Sequence, residues 1–319
     1  MNTVRAGSIL ARNSDSVLPF QLEALGVRGR AVRLGPVLDA ILSRHAYPAP
    51  VAALLAEALV LGAALASSLK YDGIFTLQLR GDGPIRLIVV DLTSDGALRG
   101  YAQVDATRLD AALADVSLDR VSGLPPNPVP RLLGAGHMAF TVDQGPQTER
   151  YQGVVALDGA TLADCAHHYF RQSEQLAAGL KLAVARDGAH WRAAALVLQA
   201  LPSAQLIAEL DADEREDRWR KAVVLLGSAT AAEMVDPGLP VEGLLLRLFH
   251  EDGVRAFDRR PLYDQCRCSR ARIDRVLRTI RRSELDELRD AGGRVVVTCE
   301  FCSTTYRYAD ADLDALETA

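Results

Sequence analysis

Apolar positions along the first two hundred residues follow two periods, one suited to strands and one to helices. Val27, Ala31, Val32 and Leu34 fall in a short strand-like run. Pro36 then opens a helix with Val37, Leu38, Ile41 and Leu42 at helical spacing, because proline is tolerated in a first turn. Pro48 precedes a longer helix through Leu54, Leu55, Ala58, Leu59, Leu61 and Leu65. Residues 75–79 alternate as a strand, and Arg80-Gly81-Asp82-Gly83-Pro84 reads as a turn into a second strand at 85–91. A third strand at 98–104 suggests an antiparallel meander. Pro125, Pro126, Pro128 and Pro130 mark an irregular loop. Strands are expected again at 138–142 and 151–157, a helix over 161–173, and two last strands at 180–185 and 191–198. The expected fold class is α+β.

The pattern changes after Pro202. Residues 203–235 contain no good strand. Glu209, Asp211, Asp213, Glu214, Glu216 and Asp217 interleave with Arg215, Arg218, Arg220 and Lys221, while Leu206, Ile207, Leu210, Trp219, Val223 and Leu226 form only a thin apolar face. Such a helical segment is marginally stable unless docked on something else. Pro237 and Pro240 interrupt it, and 241–250 reads as a short amphipathic helix. Three parts are expected: an α+β core at 1–200, a metastable helical linker at 201–256 and a small cysteine-rich domain at 257–319.

Composition narrows the function. The chain has 319 residues, 49% of them hydrophobic, with a net charge of −5. The core can be large, and the charge speaks against a general nucleic-acid binder. Residues 1–16 hold no continuous apolar stretch of the kind a secretory leader needs. The most apolar segment, 51–69, is alanine-rich and carries Glu57, so a buried or half-buried helix is expected there in place of a membrane span. A cytoplasmic protein follows as the expectation.

Four of the five cysteines crowd the C-terminal part. Cys266 and Cys268 form C-x-C; Cys299 and Cys302 form C-x-x-C around Glu300 and Phe301. In a reducing compartment, two such pairs point to metal or redox chemistry. Four thiolates suit zinc, with one ion expected per chain and no open position for catalysis. C-x-C is less usual in purely structural zinc sites and tilts the reading toward redox function. Arg267, Arg270 and Arg272 are expected to favour thiolates. A tail this small would unfold on losing its metal.

Other candidates are weaker. Cys165 is expected as a buried apolar residue, and the neighbouring His167 and His168 would point to different faces of a helix. Gly81-Asp82-Gly83 lacks the following helix and lysine of a phosphate loop. Ser173-Glu174 lacks the surroundings of a nucleophile, although Glu174 is a candidate for the core–linker contact. Residues 258–308 hold twelve arginines against eight acidic residues, too small an excess for a phosphate footprint once four thiolates and a zinc ion are counted. A solvated helix of mixed charge is expected over 270–289. No catalytic residues, nucleic-acid partner or membrane association are expected.

The chain resembles the 33 kDa chaperonin family, the redox-regulated holdases of bacterial cytoplasm. The cysteine pattern and its position carry the resemblance. So do Val27-Arg28-Gly29-Arg30, His45-Ala46-Tyr47-Pro48, the run from Ser67 to Gly73, the run from Gln78 to Pro84, Arg99-Gly100-Tyr101, Tyr151-Gln152-Gly153 and the run from Tyr169 to Gln175. It extends from about Phe20 to Leu316. The resemblance implies an ATP-independent chaperone and no enzyme. It implies that zinc on Cys266, Cys268, Cys299 and Cys302 marks an inactive form. Oxidation would join Cys266 to Cys268 and Cys299 to Cys302, release zinc, unfold the linker and expose surface for unfolding clients. The oxidised form would be a homodimer.

Overall fold

The computed structural model describes residues 15–145, 148–171, 177–201 and 211–318. The chain divides into two compact units, the first running to Asp264 and the second beginning at Gln265.

The first unit is built on two six-stranded sheets. One has the order β10-β1-β2-β9-β8, from β1 (Ser16–Leu22), β2 (Val27–Leu34), β8 (Ala178–Asp187), β9 (His190–Ala200) and β10 (Val254–Ala256), with β11 (Arg260–Pro261) also paired to β1. The other has the order β12-β5-β4-β3-β6-β7, from β3 (Ile74–Gly81), β4 (Ile85–Thr93), β5 (Ala97–Val104), β6 (Gly136–Asp143), β7 (Tyr151–Ala156) and β12 (Tyr263–Asp264). β3, β4 and β5 form the expected antiparallel meander. Gly81-Asp82-Gly83 is the turn between β3 and β4; a side chain at Gly81 would run into the Leu133 carbonyl at 1.9 Å, so this turn needs glycine.

Helix α2 (Ala49–Ser67) packs against strands of both sheets, and α1 (Pro36–Leu42) against β9 and β5. Sixteen of the nineteen α2 residues are buried, so its apolarity serves a protein core. Helices α3 (Ala106–Leu113) and α4 (Leu162–Tyr169) complete this part. The predicted 161–173 helix matches α4 at its start. Thr161 caps it by accepting from the Asp164 amide while Asp164 reaches back. Ser173 and Glu174 lie outside the described residues.

The first sheet has two apolar faces. In β9, Ala193, Ala195 and Val197 join the core around α2, while Ala194, Leu196 and Leu198 enter a second core on the other side. β1 and β2 divide in the same way, with Val17 and Val32 on one face and Leu18, Phe20 and Ala31 on the other. Strand β1 was not expected from the pattern. Both its faces are apolar, so the alternation is lost, and Pro19 interrupts it. Pro19 is tolerated because its missing N–H falls between the stretches of β1 that pair with β10 and β11.

Three helices cover the second face: α5 (Ala212–Ser228), α6 (Ala231–Val235) and α7 (Val241–Phe249). α5 and α6 each begin with a reciprocal cap, Asp211 with Glu214 and Thr230 with Glu233. The Phe249 ring stacks 6.3 Å from Phe20, and Phe20 lies so close over Gly29 that a Cβ there would meet it at 2.1 Å. Only Ala222 and Leu226 of α5 are fully buried. Of the face expected for this segment, Trp219 and Leu226 pack on this core, Val223 is exposed, and Leu206, Ile207 and Leu210 lie outside the described residues. After α7 the chain re-enters the first sheet as β10, beside β1.

In the second unit, α8 (Arg270–Leu277), α9 (Arg282–Asp286), the hairpin β13 (Val295–Thr298) and β14 (Thr305–Tyr308), and α10 (Asp310–Thr318) enclose a small core. Its fully buried side chains are Leu277, Leu285, Val295, Tyr308 and Leu313. The helix expected over 270–289 is broken between Leu277 and Arg282. The bend brings Ile280 and Leu285 onto the same small core as Leu277. Tyr308 donates to Asp274 at 2.7 Å under the Arg270 guanidinium, 4.3 Å from its ring centre.

Glu57, the one charged residue of α2, is half-buried, with Oε2 fully enclosed and unpartnered among the described residues. Burial pushes its pKa up to about 7. A carboxyl raised in this way keeps its proton in the folded state between the unfolded value and about 7. Its contribution to stability is therefore greatest in acid and is lost as pH rises toward 7. Glu57→Gln should flatten that slope by about 1–3 kcal/mol between pH 5 and pH 8, read from urea unfolding by tryptophan fluorescence. Identical slopes in the two proteins would show that Glu57 ionises freely.

Candidate metal centre

Two loops of the second unit supply four sulfurs. Cys266 and Cys268 lie in the segment before α8, whose first turn is capped by Ser269 accepting from the Arg272 amide. Cys299 and Cys302 form the tip of the β13–β14 hairpin. There the Cys299 amide donates to the Thr304 carbonyl at 2.9 Å and the Ser303 amide to the Cys299 carbonyl at 2.8 Å. Ser303 takes a left-handed conformation with φ of 57°, which turns the chain tightly enough to present both sulfurs on one side.

The four Sγ atoms lie within 4.8 Å of one another, the only such metal-ligating cluster among the described residues. Cys266 Sγ is 3.7 Å from Cys299 Sγ, and Cys268 Sγ is 3.3 Å from Cys302 Sγ. Four thiolates at about 2.3 Å from a central ion have edges of about 3.8 Å. The donor set and its spacing therefore fit a tetrahedral soft metal ion. All four cysteines are half-buried, which leaves the cluster within reach of small solutes.

Crowding sets the charge on the sulfurs. Burial pushes the Cys268 thiol up to about 12, in spite of the Tyr306 hydroxyl donating to it at 3.3 Å. Burial likewise raises Cys299 above the usual thiol value, although the Cys302 and Phe301 amides point at its sulfur. At Cys302 burial also acts upward, but the Thr304 hydroxyl and amide and the neighbouring thiols outweigh it and bring the group down to about 6. Cys302 thus gives up its proton ahead of Cys268 and Cys299, and a divalent ion favours the thiolate form of any sulfur that binds it.

Thr304 and Tyr306 touch the sulfurs, and cysteine spacing alone did not reveal them. They stand two and four residues after the C-x-x-C, Thr304 just before β14 and Tyr306 on it. The arginines act differently from the expectation. Arg270 is engaged with Tyr308, the Arg307 carbonyl and Asp312, and Arg272 donates to the Arg267 carbonyl at 3.1 Å. The dominant influences on the shifted thiols are burial, the other sulfurs, and the hydroxyls and amides.

Cys165 sits fully buried in the core of the first unit, as expected, and burial pushes its thiol up to about 11. Of the adjacent histidines, His168 faces Asp158, its Nδ1 3.6 Å from the carboxylate. In folded, chelator-treated, reduced protein, four thiols should react with a colorimetric disulfide reagent within minutes, and the fifth only after denaturant is added. Five fast thiols would contradict the burial of Cys165.

A family model described as Hsp33 protein matches residues 15–309. Among similar proteins, a 33 kDa chaperonin of Caulobacter vibrioides is 42% identical over 297 residues, covering 92% of this chain and 94% of that protein. A 33 kDa chaperonin of Ectopseudomonas mendocina is 38% identical over 93% of each chain. The solved structure of the 33 kDa chaperonin of Thermotoga maritima is 22% identical, with a TM-score of 0.75 over 95% of this chain and 97% of that one; it shares the fold.

Proposed function

The chain belongs to the Hsp33 family, and from that premise we propose that it is a redox-regulated, ATP-independent holdase of the cytoplasm. The observation that carries this reading is the convergence of four half-buried sulfurs on a unit with so small an apolar core. Five buried side chains cannot stabilise some fifty residues against their conformational entropy of about 1–2 kcal/mol each. Cys266, Cys268, Cys299 and Cys302 would hold one zinc ion. When bound, it keeps the four thiolates together and supplies folding energy to the unit.

Oxidation acts on the sulfurs. A thiolate attacks a peroxide oxygen, leaving a sulfenic acid and expelling hydroxide. The second sulfur of the pair, also a thiolate, attacks that sulfenic sulfur, forming the disulfide and expelling a second hydroxide. Each pair thus gives up two electrons. The pairs assigned are Cys266–Cys268 and Cys299–Cys302, after which no thiolate remains to hold the ion.

The released signal has a poised element to act on. α5 to α7 would be the linker, within a core of 1–200, a linker of 201–256 and a switch domain of 257–319. α5 docks by a thin face: its two fully buried side chains contribute only roughly a few kcal/mol toward the cost of ordering the helix, so its docking is marginal. Lifting α5 to α7 off the sheet would uncover Phe20, Leu22, Val27, Ala31, Leu196 and Leu198, an apolar face of the kind that captures unfolding chains. Clients would be unfolding proteins, and the active form a homodimer. No residue is assigned a catalytic role.

Arg33 holds the docked state. It is 7% exposed, and its guanidinium donates to the carbonyls of Glu233 (3.0 Å), Asp236 (2.9 Å) and Leu239 (2.5 Å). Arg33→Ala would leave those carbonyls without their donor, at about 2–4 kcal/mol. Hydrogen exchange in 212–249 should then rise at least tenfold, and aggregation suppression should start at a lower oxidant dose. Unchanged exchange would remove Arg33 from this role.

The main test follows zinc release, thiol loss and suppression of client aggregation together as peroxide and mild heat are applied. One zinc leaving as four thiols disappear, with suppression arising in step and reversing with reductant, is the expected result. Zinc release with no suppression would leave a structural site only. Peptide mapping that found Cys266 joined to Cys299 would overturn the pairing. Cys266→Ser should weaken zinc retention and give partial activity without oxidant; full zinc and a normal switch in that variant would refute the four-ligand site.

A further inference from the structure

The first unit carries a second charged feature, outside the cysteine-rich unit. A groove of about 690 Å³ runs between β1, β2 and β10–β11, lined by Arg28, Arg30, Arg255, Arg259 and Arg260, with Asp258 as its only acidic lining residue. A second hollow of about 520 Å³ shares Arg28, Arg30, Arg259 and Arg260. The same four arginines thus line both spaces, with Asp95 as the acidic residue of the second.

Two of the five arginines are balanced. Arg259 forms a forked pair with Glu242 at 2.5 and 3.1 Å, and Arg255 lies 3.5 Å from Glu23. The other three have no carboxylate within ion-pair distance among the described residues. Arg28 donates to the Gln199 amide oxygen at 2.9 Å, and Arg30 to the Ser67 and Gly29 carbonyls. Burial, and then the charges of Arg28 and Arg260, lower the pKa of Arg30, a sign that the three repel one another. Guanidinium groups do not relieve such repulsion by losing protons. Gathering three uncompensated cations on a chain of net charge −5 leaves a local demand for an anion.

We infer that this groove binds a small anion carrying several closely spaced phosphates. Three unpaired guanidinium groups call for about three negative charges, and their forks match phosphate oxygens. The volume lies within the range of small-molecule sites, about 300–1,000 Å³, and is too small for a duplex or a folded partner. Two sources share this chemistry: inorganic condensed phosphate and a nucleoside triphosphate bound without hydrolysis. Phe257, 43% exposed on the groove wall under the Arg255 guanidinium, offers a surface on which a base can stack.

The test is titration calorimetry on the reduced, zinc-loaded full chain at about 50 mM salt, where phosphate contacts are strong. Sodium tripolyphosphate should bind saturably at one site per chain. Arg28→Gln with Arg260→Gln should weaken it at least tenfold, while Arg120→Gln, at an exposed arginine outside the groove, should not change it. Arg260→Lys, which keeps the charge, should recover most of the affinity. Zinc content and unfolding midpoint establish that each variant is folded. Equal affinity for ATP and tripolyphosphate assigns the ligand as phosphate alone. ATP binding at least tenfold tighter, with the excess removed by Phe257→Ala, assigns a nucleotide. No saturable tripolyphosphate binding, or binding within twofold of wild type in the double variant, would overturn the inference.

Discussion

Everything in the first unit depends on one sheet having to be covered twice. β1, β2 and β9 present apolar side chains on both faces, so neither face can be left to water. One face receives α2, a helix apolar on nearly every side, and that packing is deep and permanent in character. The other receives α5 to α7, of which α5 has a narrow apolar stripe and a charged outer surface. A single sheet thus has one cover buried on nearly every side and another in which α5 adds only two fully buried side chains, the rest of the contact coming from the 229–249 segment and Arg33. The asymmetry is written in composition: Glu57 is the only charge in α2, whereas α5 alternates acidic and basic residues along most of its length.

How much of this was legible follows from whether the signal was local. The long apolar run of α2, the glycine turn between β3 and β4, and the thin face of α5 are properties of contiguous residues, and each could be read directly. β1 could not be, because a strand buried on both sides has no alternation and a central proline argues against it. The short strands β10 to β12 were equally invisible: two or three residues carry no period, and they exist only because β1 and β5 offer unpaired edges. The break after Leu277 was missed for a related reason. Charge pattern along 270–289 suits a helix, but a five-residue core demands that the chain bend around it.

The cysteines were the most legible part, since paired spacing is itself the signal. What spacing does not show is which groups set the charge on each sulfur. Nearby arginines in sequence turned out to be occupied with Tyr308, Asp312 and backbone carbonyls, while Thr304 and Tyr306, both uncharged, are the side chains hydrogen-bonded to Cys302 and Cys268. The arginine groove lay beyond reach entirely. Arg28 and Arg30 stand more than two hundred residues from Arg255, Arg259 and Arg260, and only the return of the chain to β1 brings them together.

That return has a further consequence. The chain leaves the first sheet at the end of β9 and rejoins it at β10, so α5 to α7 form a loop anchored at both ends to the surface they cover. A detached cover remains a tethered one, confined near its own binding face at high effective concentration. The entropy it gains on leaving is capped by loop closure, which grows only slowly with length. Re-covering is then an intramolecular event that needs no search, and whatever occupies the face must compete with a rival that never diffuses away. Under the proposed holdase reading, geometry of this kind would make release of a bound chain the default once the loop regains its helices.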